Sequence, residues 1–315
     1  MKKWFRRLSA TLLVLFLLVN SIAFFHARKF THFDPDATQI TDPSKVSLLK
    51  KVGILFTGVS LPKPWSNRKP DRPYETIFIQ SNKRTACWSM KVEQAKGTVV
   101  LCHGYGAEKS SMLDKAYVLL DAGYNVLLPD LGGAGTSEGN ECTIGYKEAE
   151  EVKACVRYLH VKDDQPVFLL GTSMGAAAVM RACSTESLPV KAMILECPFG
   201  SMRQTVKNRF EMVGVPSFLL ADLLVFWGGA QNGFNAFSHN PEDYARRIKL
   251  PVLLLYGAKD DRVKPSETQR IYDHLAGPKK RVQYPLAGHE NYLNQYRTQW
   301  TADVLRFLAQ QSMRS

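Results

Sequence analysis

A serine between two glycines is the residue of this sequence best placed to do chemistry. The segment Gly171-Thr172-Ser173-Met174-Gly175 fits the pattern G-x-S-x-G, follows the apolar residues 167–170 and precedes three alanines. In that context the pattern predicts a sharp turn from a strand into a helix, with the serine hydroxyl projecting above the sheet. The glycines are needed because the two backbones approach closely there. Ser173 is therefore the candidate nucleophile, and a base, an acid and an oxyanion site must come from other segments.

The candidate acid and base follow two later apolar strands. An acid comes after Gly257, at Asp260 or Asp261, and a histidine comes after Gly288, at His289. Functional side chains of a parallel sheet gather at the carboxyl ends of its strands, so these positions are expected to lie near the serine. His289 is the stronger histidine candidate, because His274 falls inside a predicted helix.

The elements that must position these residues alternate between strand and helix. This alternation predicts a mainly parallel sheet that is covered by helices on both faces. Eight strands are expected, at residues 75–80, 85–92, 98–102, 125–128, 167–170, 192–196, 252–256 and 281–284. Helices are expected between them, including one over residues 109–122 and a closing one over residues 290–309.

Five motifs follow one another along the chain: His103-Gly104-Tyr105-Gly106, Asp130-Leu131-Gly132-Gly133-Ala134-Gly135-Thr136-Ser137, Gly171-Thr172-Ser173-Met174-Gly175, Gly257-Ala258-Lys259-Asp260 and Gly288-His289. With these motifs the chain resembles, from about residue 75 to its end, the α/β-hydrolase superfamily, which uses the order Ser…Asp…His. Within it, the chain looks like the bacterial membrane-associated hydrolases of the serine aminopeptidase and monoacylglycerol lipase-like group. The resemblance implies an α/β-hydrolase fold with an eight-stranded, mostly parallel sheet, helices on both faces and a helical cap insert.

The resemblance also implies a role for individual residues. Ser173 would be the nucleophile, His289 the base and Asp260 the acid that orients it, because Asp260 stands three residues after Gly257 as the family pattern requires. The backbone N–H groups of Tyr105 and Met174 would bind the oxyanion. This chemistry needs no metal and no organic cofactor. His103 is expected to brace its own loop. The chain departs from its relatives at Gly133, where many carry arginine.

The insert between the sixth and seventh strands, residues 198–245, corresponds to the cap. Its segment 217–227 is strongly apolar with one acid, which predicts a cap helix that forms an acyl pocket or a lid. The predicted function is therefore a serine hydrolase that cleaves lipophilic or acylglycerol-like carboxylic esters. The alternative is a serine aminopeptidase-type peptidase, in which Glu196 or Glu211 would hold the free amine. A non-catalytic binding protein on the same fold is the third hypothesis.

The amino-terminal segment predicts contact with a membrane. The 315-residue chain has a formal net charge of +12, and its first 29 residues contain six basic side chains and no acid. This balance suits an anionic membrane surface better than nucleic acid. Residues 8–25 form an uncharged, mostly apolar run of 18 residues, which is long enough for an uncleaved anchor. The competing interpretation is a signal peptide cleaved after Ala23. Either way the basic start predicts an extracytoplasmic catalytic domain.

The predicted organisation is an anchor or signal segment over residues 1–29, a linker and lead-in over residues 30–74, and the hydrolase domain over residues 75–315. Four prolines between residues 62 and 73 predict that the lead-in is irregular. The six cysteines have no metal-binding spacing and mostly lie in apolar patterns, so buried free thiols are expected.

Overall fold

The computed structural model describes residues 2–37, 48–162, 165–212, 214 and 216–312. Within these ranges the strands are β1 (Glu75–Gln80), β2 (Arg84–Met90), β3 (Thr98–Cys102), β4 (Asn125–Pro129), β5 (Val167–Thr172), β6 (Ala192–Glu196), β7 (Val252–Gly257) and β8 (Lys279–Tyr284). The helices are α1 (Lys2–Thr31), α2 (Leu48–Thr57), α3 (Leu113–Asp121), α4 (Glu148–Lys162), α5 (Met174–Thr185), α6 (Met202–Met212), α7 (Leu220–Gln231), α8 (Pro241–Tyr244), α9 (Pro265–His274), α10 (Tyr292–Gln295) and α11 (Arg297–Ser312).

The strands form one sheet with the order β1-β2-β4-β3-β5-β6-β7-β8. Strand β2 runs antiparallel to β1 and β4, and the pairs from β4 to β8 are parallel. Strands β3, β4, β6 and β7 are buried along their whole length, because helices cover both faces of the sheet. The predicted fold class is therefore confirmed.

The two faces of the sheet pack against separate sets of helices. Alternate residues along the central strands supply the two cores, since successive side chains in a strand point to opposite faces. In β5, for example, Leu169 belongs to the core that contains side chains of α4 and α5. Phe168 and Leu170 belong to the core that contains side chains of α3 and α11. A third, smaller cluster joins the cap to the top of α5.

The start of β8 and the continuity of the closing helix differ from the sequence prediction. Strand β8 begins at Lys279, two residues earlier than expected, and pairs with β7 from its first residue. The first residues of β8 are charged, so the sequence did not indicate a strand there. Charged side chains are tolerated in β8 because it is an edge strand and one of its sides is open to solvent. The predicted closing helix is interrupted at Tyr296, whose φ of −121° and ψ of 40° end α10 before α11 begins.

Residues 58–74, which contain the four prolines, form no helix and no extended strand, as predicted, but the chain before them is more ordered than a linker. Helix α1 continues to Thr31, and the next residues attach to the hydrolase body through hydrogen bonds from Cys142 N–H to the Thr31 carbonyl (2.9 Å) and from Phe33 N–H to the Asn140 carbonyl (2.8 Å). Helix α2 then lies inside the predicted linker, of which residues 38–47 are outside the described ranges. The domain boundaries themselves stay a prediction.

Candidate active site

The G-x-S-x-G segment forms the turn that the sequence predicts. Ser173 lies between β5 and α5 with a φ of 52° and a ψ of −110°, a conformation that non-glycine residues rarely adopt. A Cβ atom on Gly175 would lie 2.2 Å from the carbonyl oxygen of Cys102, and one on Gly171 would lie 2.5 Å from the carbonyl oxygen of Gly175. Only glycine therefore fits on either side of this serine.

Three of the predicted site residues meet above the sheet. The Ser173 Oγ lies 2.9 Å from His289 Nε2, and His289 Nδ1 lies 2.8 Å from Asp260 Oδ2. The second oxygen of Asp260 accepts hydrogen bonds from the backbone N–H groups of Arg262 (2.9 Å) and Val263 (2.8 Å), which fix the carboxylate. Asp261, the other candidate acid, is exposed to solvent. The geometry thus joins the serine, the histidine and the acid that the family pattern favours.

The surroundings of His289 change its affinity for a proton. Burial by itself lowers the imidazole pKa, but the adjacent side chains of Cys197 and Asp260 more than offset that effect, so the pKa of His289 lies above its ordinary value. An imidazolium at this position is stabilised by the Asp260 carboxylate, with which it shares a hydrogen bond. The group that would accept the serine proton is therefore a strengthened base.

The two residues expected to bind an oxyanion border the same space. Tyr105 and Met174 line a cavity together with Ser173 and His289. Met174 is the first residue of α5, so its N–H group belongs to the first turn, which has no acceptor within the helix. The Tyr105 loop is braced by His103, whose Nε2 accepts from the Leu131 N–H (2.9 Å) while Nδ1 lies 2.8 Å from the Gly104 carbonyl. Burial lowers the pKa of His103, which favours the neutral ring that this pair of bonds requires.

Cys197 is the site residue that the sequence analysis missed. It follows β6, is buried, and has a φ of 39°. Its sulfur, a ring nitrogen of His289 and a carboxylate oxygen of Asp260 lie within 4.8 Å of one another. A metal bound by this trio would compete with the hydrogen bonds that the histidine and the acid already make. The rule that functional side chains follow parallel strands could have marked Cys197, because it is the first residue after β6.

Neither acid predicted to hold an amine lies in the cavity. The Glu196 carboxylate is buried beneath the serine turn, where it is paired with Lys115 and accepts hydrogen bonds from Thr172 Oγ1 (2.7 Å) and Trp300 Nε1 (2.6 Å). Glu211 forms an exposed ion pair with Lys264 at 2.6 Å. That part of the peptidase hypothesis is wrong.

The cavity above Ser173 has a volume of about 530 Å³ and mostly apolar walls. Cap residues from α6 and α7 and the end of α1 enclose it. Among the described residues that line it, no side chain is a carboxylate, and Arg209 and Arg262 are basic. Cavities of this size and character are typical of small-molecule sites.

The glycine that departs from the family pattern has a local explanation. Gly133 has a φ of 66°, and a Cβ there would lie 2.9 Å from the backbone nitrogen of Asn140. The positive φ and the backbone of residues 139 and 140 therefore disfavour arginine, or any other side chain, at this position.

Comparison with known proteins agrees with this architecture. Residues 93–245 match the family described as serine aminopeptidase, S33. The chain is 28% identical over 186 residues to the uncharacterised protein YqkD of Bacillus subtilis, covering 58% of this chain and 61% of that protein. It is 29% identical over 229 residues to the lysophosphatidylserine lipase ABHD12 of Danio rerio, covering 68% of this chain and 55% of that protein. Each match therefore spans less than two thirds of the relative's own length.

Solved structures extend the likeness in fold. An esterase of Pyrococcus furiosus, Pf2001, superposes with a TM-score of 0.67 and 23% sequence identity, over 79% of this chain and 96% of the esterase. The sheet order, the turn at Ser173 and these similarities together show that the chain has the α/β-hydrolase fold.

Proposed function

We propose that the protein is a serine hydrolase that cleaves carboxylic esters with an apolar acyl group, such as acylglycerol-like lipids. The observation that carries this proposal is the hydrogen-bonded series Ser173–His289–Asp260 at the floor of an apolar cavity. The superfamily contains both esterases and enzymes of other specificity, so the argument for the reaction rests on this site.

In the proposed mechanism His289 takes the proton of Ser173 as its Oγ attacks the ester carbonyl carbon. Asp260 holds the imidazole in the right tautomer and stabilises the imidazolium. The N–H groups of Tyr105 and Met174 stabilise the tetrahedral oxyanion, each by about 3–4 kcal/mol. The imidazolium then protonates the leaving alcohol, and an acyl-enzyme remains. Water, deprotonated by His289, hydrolyses the acyl-enzyme in a second cycle. This sequence is complete without a metal or an organic cofactor.

The charges near the cavity favour an ester over a peptide with a free amino terminus. Such a peptide carries a positive charge, whereas the fixed charges on the described lining are the basic Arg209 and Arg262. Two guanidinium groups repel an ammonium group, and the lining supplies no carboxylate to offset this repulsion. The name of the zebrafish relative, a lysophosphatidylserine lipase, lends further support to a lipid ester.

The test of the reaction is a comparison of two substrate classes. The full-length protein in detergent should hydrolyse p-nitrophenyl acyl esters and should leave aminoacyl p-nitroanilides nearly untouched. A fluorophosphonate probe should label the wild type at Ser173 and should not label Ser173→Ala, which keeps the fold. Folded wild-type protein that neither reacts with the probe nor cleaves any ester would instead be a binding protein. Preference for the anilides would establish the peptidase.

We also propose that α1 remains attached and anchors the enzyme in a membrane, with its catalytic domain on the extracytoplasmic side. Helix α1 is long and apolar enough to cross a bilayer, and nearly all of its apolar part is exposed. A signal peptide would have the same composition. The anchor is favoured because cleavage after Ala23 would remove Asn20, which accepts a 3.2 Å hydrogen bond from the cap residue Trp227.

The mass of the mature protein tests this location. A full-length chain that stays in membranes during alkaline carbonate extraction is the expected result. A soluble product that begins near Phe24 would exclude the anchor and would leave the catalytic proposal intact.

A further inference from the structure

The end of helix α1 borders the catalytic cavity. Ile22, Ala23, Ala27 and Phe30 line the same space as Ser173 and His289. Ala23 and Ala27 are buried and lie one helical turn apart, so both face the same side of α1. The remaining length of the helix, residues 2–18, is exposed. Within the part of the chain that the structure describes, the last part of this apolar helix is therefore the part in contact with the body.

That part of the helix is held at both ends of the contact. On the cap side, Trp227 Nε1 donates to Asn20 Oδ1 at 3.2 Å, and Gln231 Nε2 donates to the Phe24 carbonyl at 2.8 Å. The rings of Phe24 and Trp227 also meet edge to face at a centroid distance of 5.3 Å. These two hydrogen bonds fix the position of α1 along α7, although the bonded residues are more than 200 positions apart in sequence.

On the body side, the helix end contacts the loop that carries the proposed oxyanion donor. The Tyr105 hydroxyl donates a 2.7 Å hydrogen bond to the Phe30 carbonyl, and the two rings stack at 5.7 Å with an interplanar angle of 6°. An anchor alone would need none of these contacts. They place α1 beside the groups that would bind the ester, so its side chains share the cavity with the substrate.

We propose that α1 forms a wall of the acyl-binding site and that Ala23 and Ala27 set the length of the acyl chain it accepts. This inference rests on the proposed ester hydrolysis. The small methyl side chains of Ala23 and Ala27 leave space in the cavity beside α1, and a larger side chain at either position would occupy that space. Each methylene of substrate that loses its buried position costs about fourfold in binding, so the effect grows with chain length. A segment that looks like a membrane anchor then also selects the substrate.

The test uses the full-length protein in detergent and measures kcat/KM for p-nitrophenyl acetate, butyrate, octanoate and dodecanoate. Ala23→Leu and Ala27→Leu should affect acetate hydrolysis less than that of any longer ester, because acetate leaves the wall empty. They should reduce octanoate and dodecanoate hydrolysis tenfold or more, as the loss of two or more buried methylenes implies. Ala10→Leu is the matched control, since Ala10 is exposed on the same helix and lies outside the cavity. It should leave the whole profile unchanged.

A second variant covers the case in which the added bulk prevents folding. Ile22→Ala removes atoms from the wall, and it should raise the ratio of dodecanoate to butyrate hydrolysis severalfold. If all of the folded wall variants keep the wild-type ratio of long to short esters, the inference is wrong, even though the enzyme is active. If the wild type cleaves no ester and does not react with the fluorophosphonate, the proposed function itself fails, which is a different result.

Discussion

The floor and the wall of the cavity are built in different ways. The floor consists of Ser173, Asp260 and His289, each of which follows a strand of one parallel sheet. The wall is formed by α1 and α7, which meet through residues 207 positions apart in sequence. In the proposed hydrolase, short local patterns therefore specify the chemistry, whereas the shape of the cavity depends on the pairing of distant helices.

The two regions also differ in what holds them. Beneath the floor, Lys115 and Glu196 form an ion pair whose side chains are 2% and 0% exposed. In the cap, the Arg203–Asp222 pair is 50% and 34% exposed. A buried charge that loses its partner is strongly destabilising, and an exposed pair contributes little. Removing one partner of the buried pair is therefore expected to destabilise the protein, whereas removing one partner of the exposed pair in the cap should have little effect on stability.

The largest effect should come from the acid in the floor. Asp260→Asn should lower kcat by about 10⁴, because the amide cannot hold His289 in the required tautomer. Asp261→Asn is the matched control, since Asp261 is the exposed neighbour, and its kcat should stay close to that of the wild type. Steady-state hydrolysis of p-nitrophenyl butyrate measures both. The reverse ranking would mean that Asp261 is the working acid.

The sequence could predict the floor because each of its residues has a local signal. Gly171 and Gly175 are required by close backbone contacts, and Asp260 and His289 stand at the ends of strands whose apolar runs are easy to recognise. Cys197 has no such signal beyond its position after β6, since a single cysteine in an apolar run is typical of a core residue.

The α7 side of the wall was predicted as the apolar cap helix, but the α1 side could not be predicted, for a different reason. Residues 8–25 have the composition of an anchor, and nothing in that composition indicates that Ala23 and Ala27 line the same cavity as Ser173. The contact depends on where the chain after Thr31 attaches to residues 140–142, which is long-range packing. For the same reason the sequence could not show that Glu196, a candidate amine-binding acid in the peptidase alternative, is held beneath the serine turn by Lys115 and Trp300.

Substitutions in the buried ion pair beneath the floor and in the exposed ion pair of the cap should differ in their effect on stability. Lys115→Met should lower the free energy of unfolding by about 3–5 kcal/mol, because it leaves the Glu196 carboxylate buried without its cation. Arg203→Ala in the cap should leave the melting temperature unchanged within error. Thermal unfolding of both proteins in the same detergent gives the comparison. Equal stability of the two variants would show that the buried pair does not support the floor in the way described.

The smallest effect concerns the pH at which the floor becomes active. His289 must be neutral to accept the serine proton, so kcat/KM should rise with pH through the pKa of the free enzyme's imidazole. That pKa lies above the ordinary histidine value, since Cys197 and Asp260 outweigh the opposing effect of burial. The acid limb of the profile should therefore lie above pH 6.5.

Cys197→Ala removes one of the groups that raise the pKa of His289, so the acid limb of this variant should move toward lower pH while the alkaline plateau changes little. Cys183→Ala, a half-buried cysteine outside the cavity lining, is the control and should keep the wild-type limb. A limb that stays in place in Cys197→Ala, or moves toward higher pH, would show that the thiol does not strengthen this base.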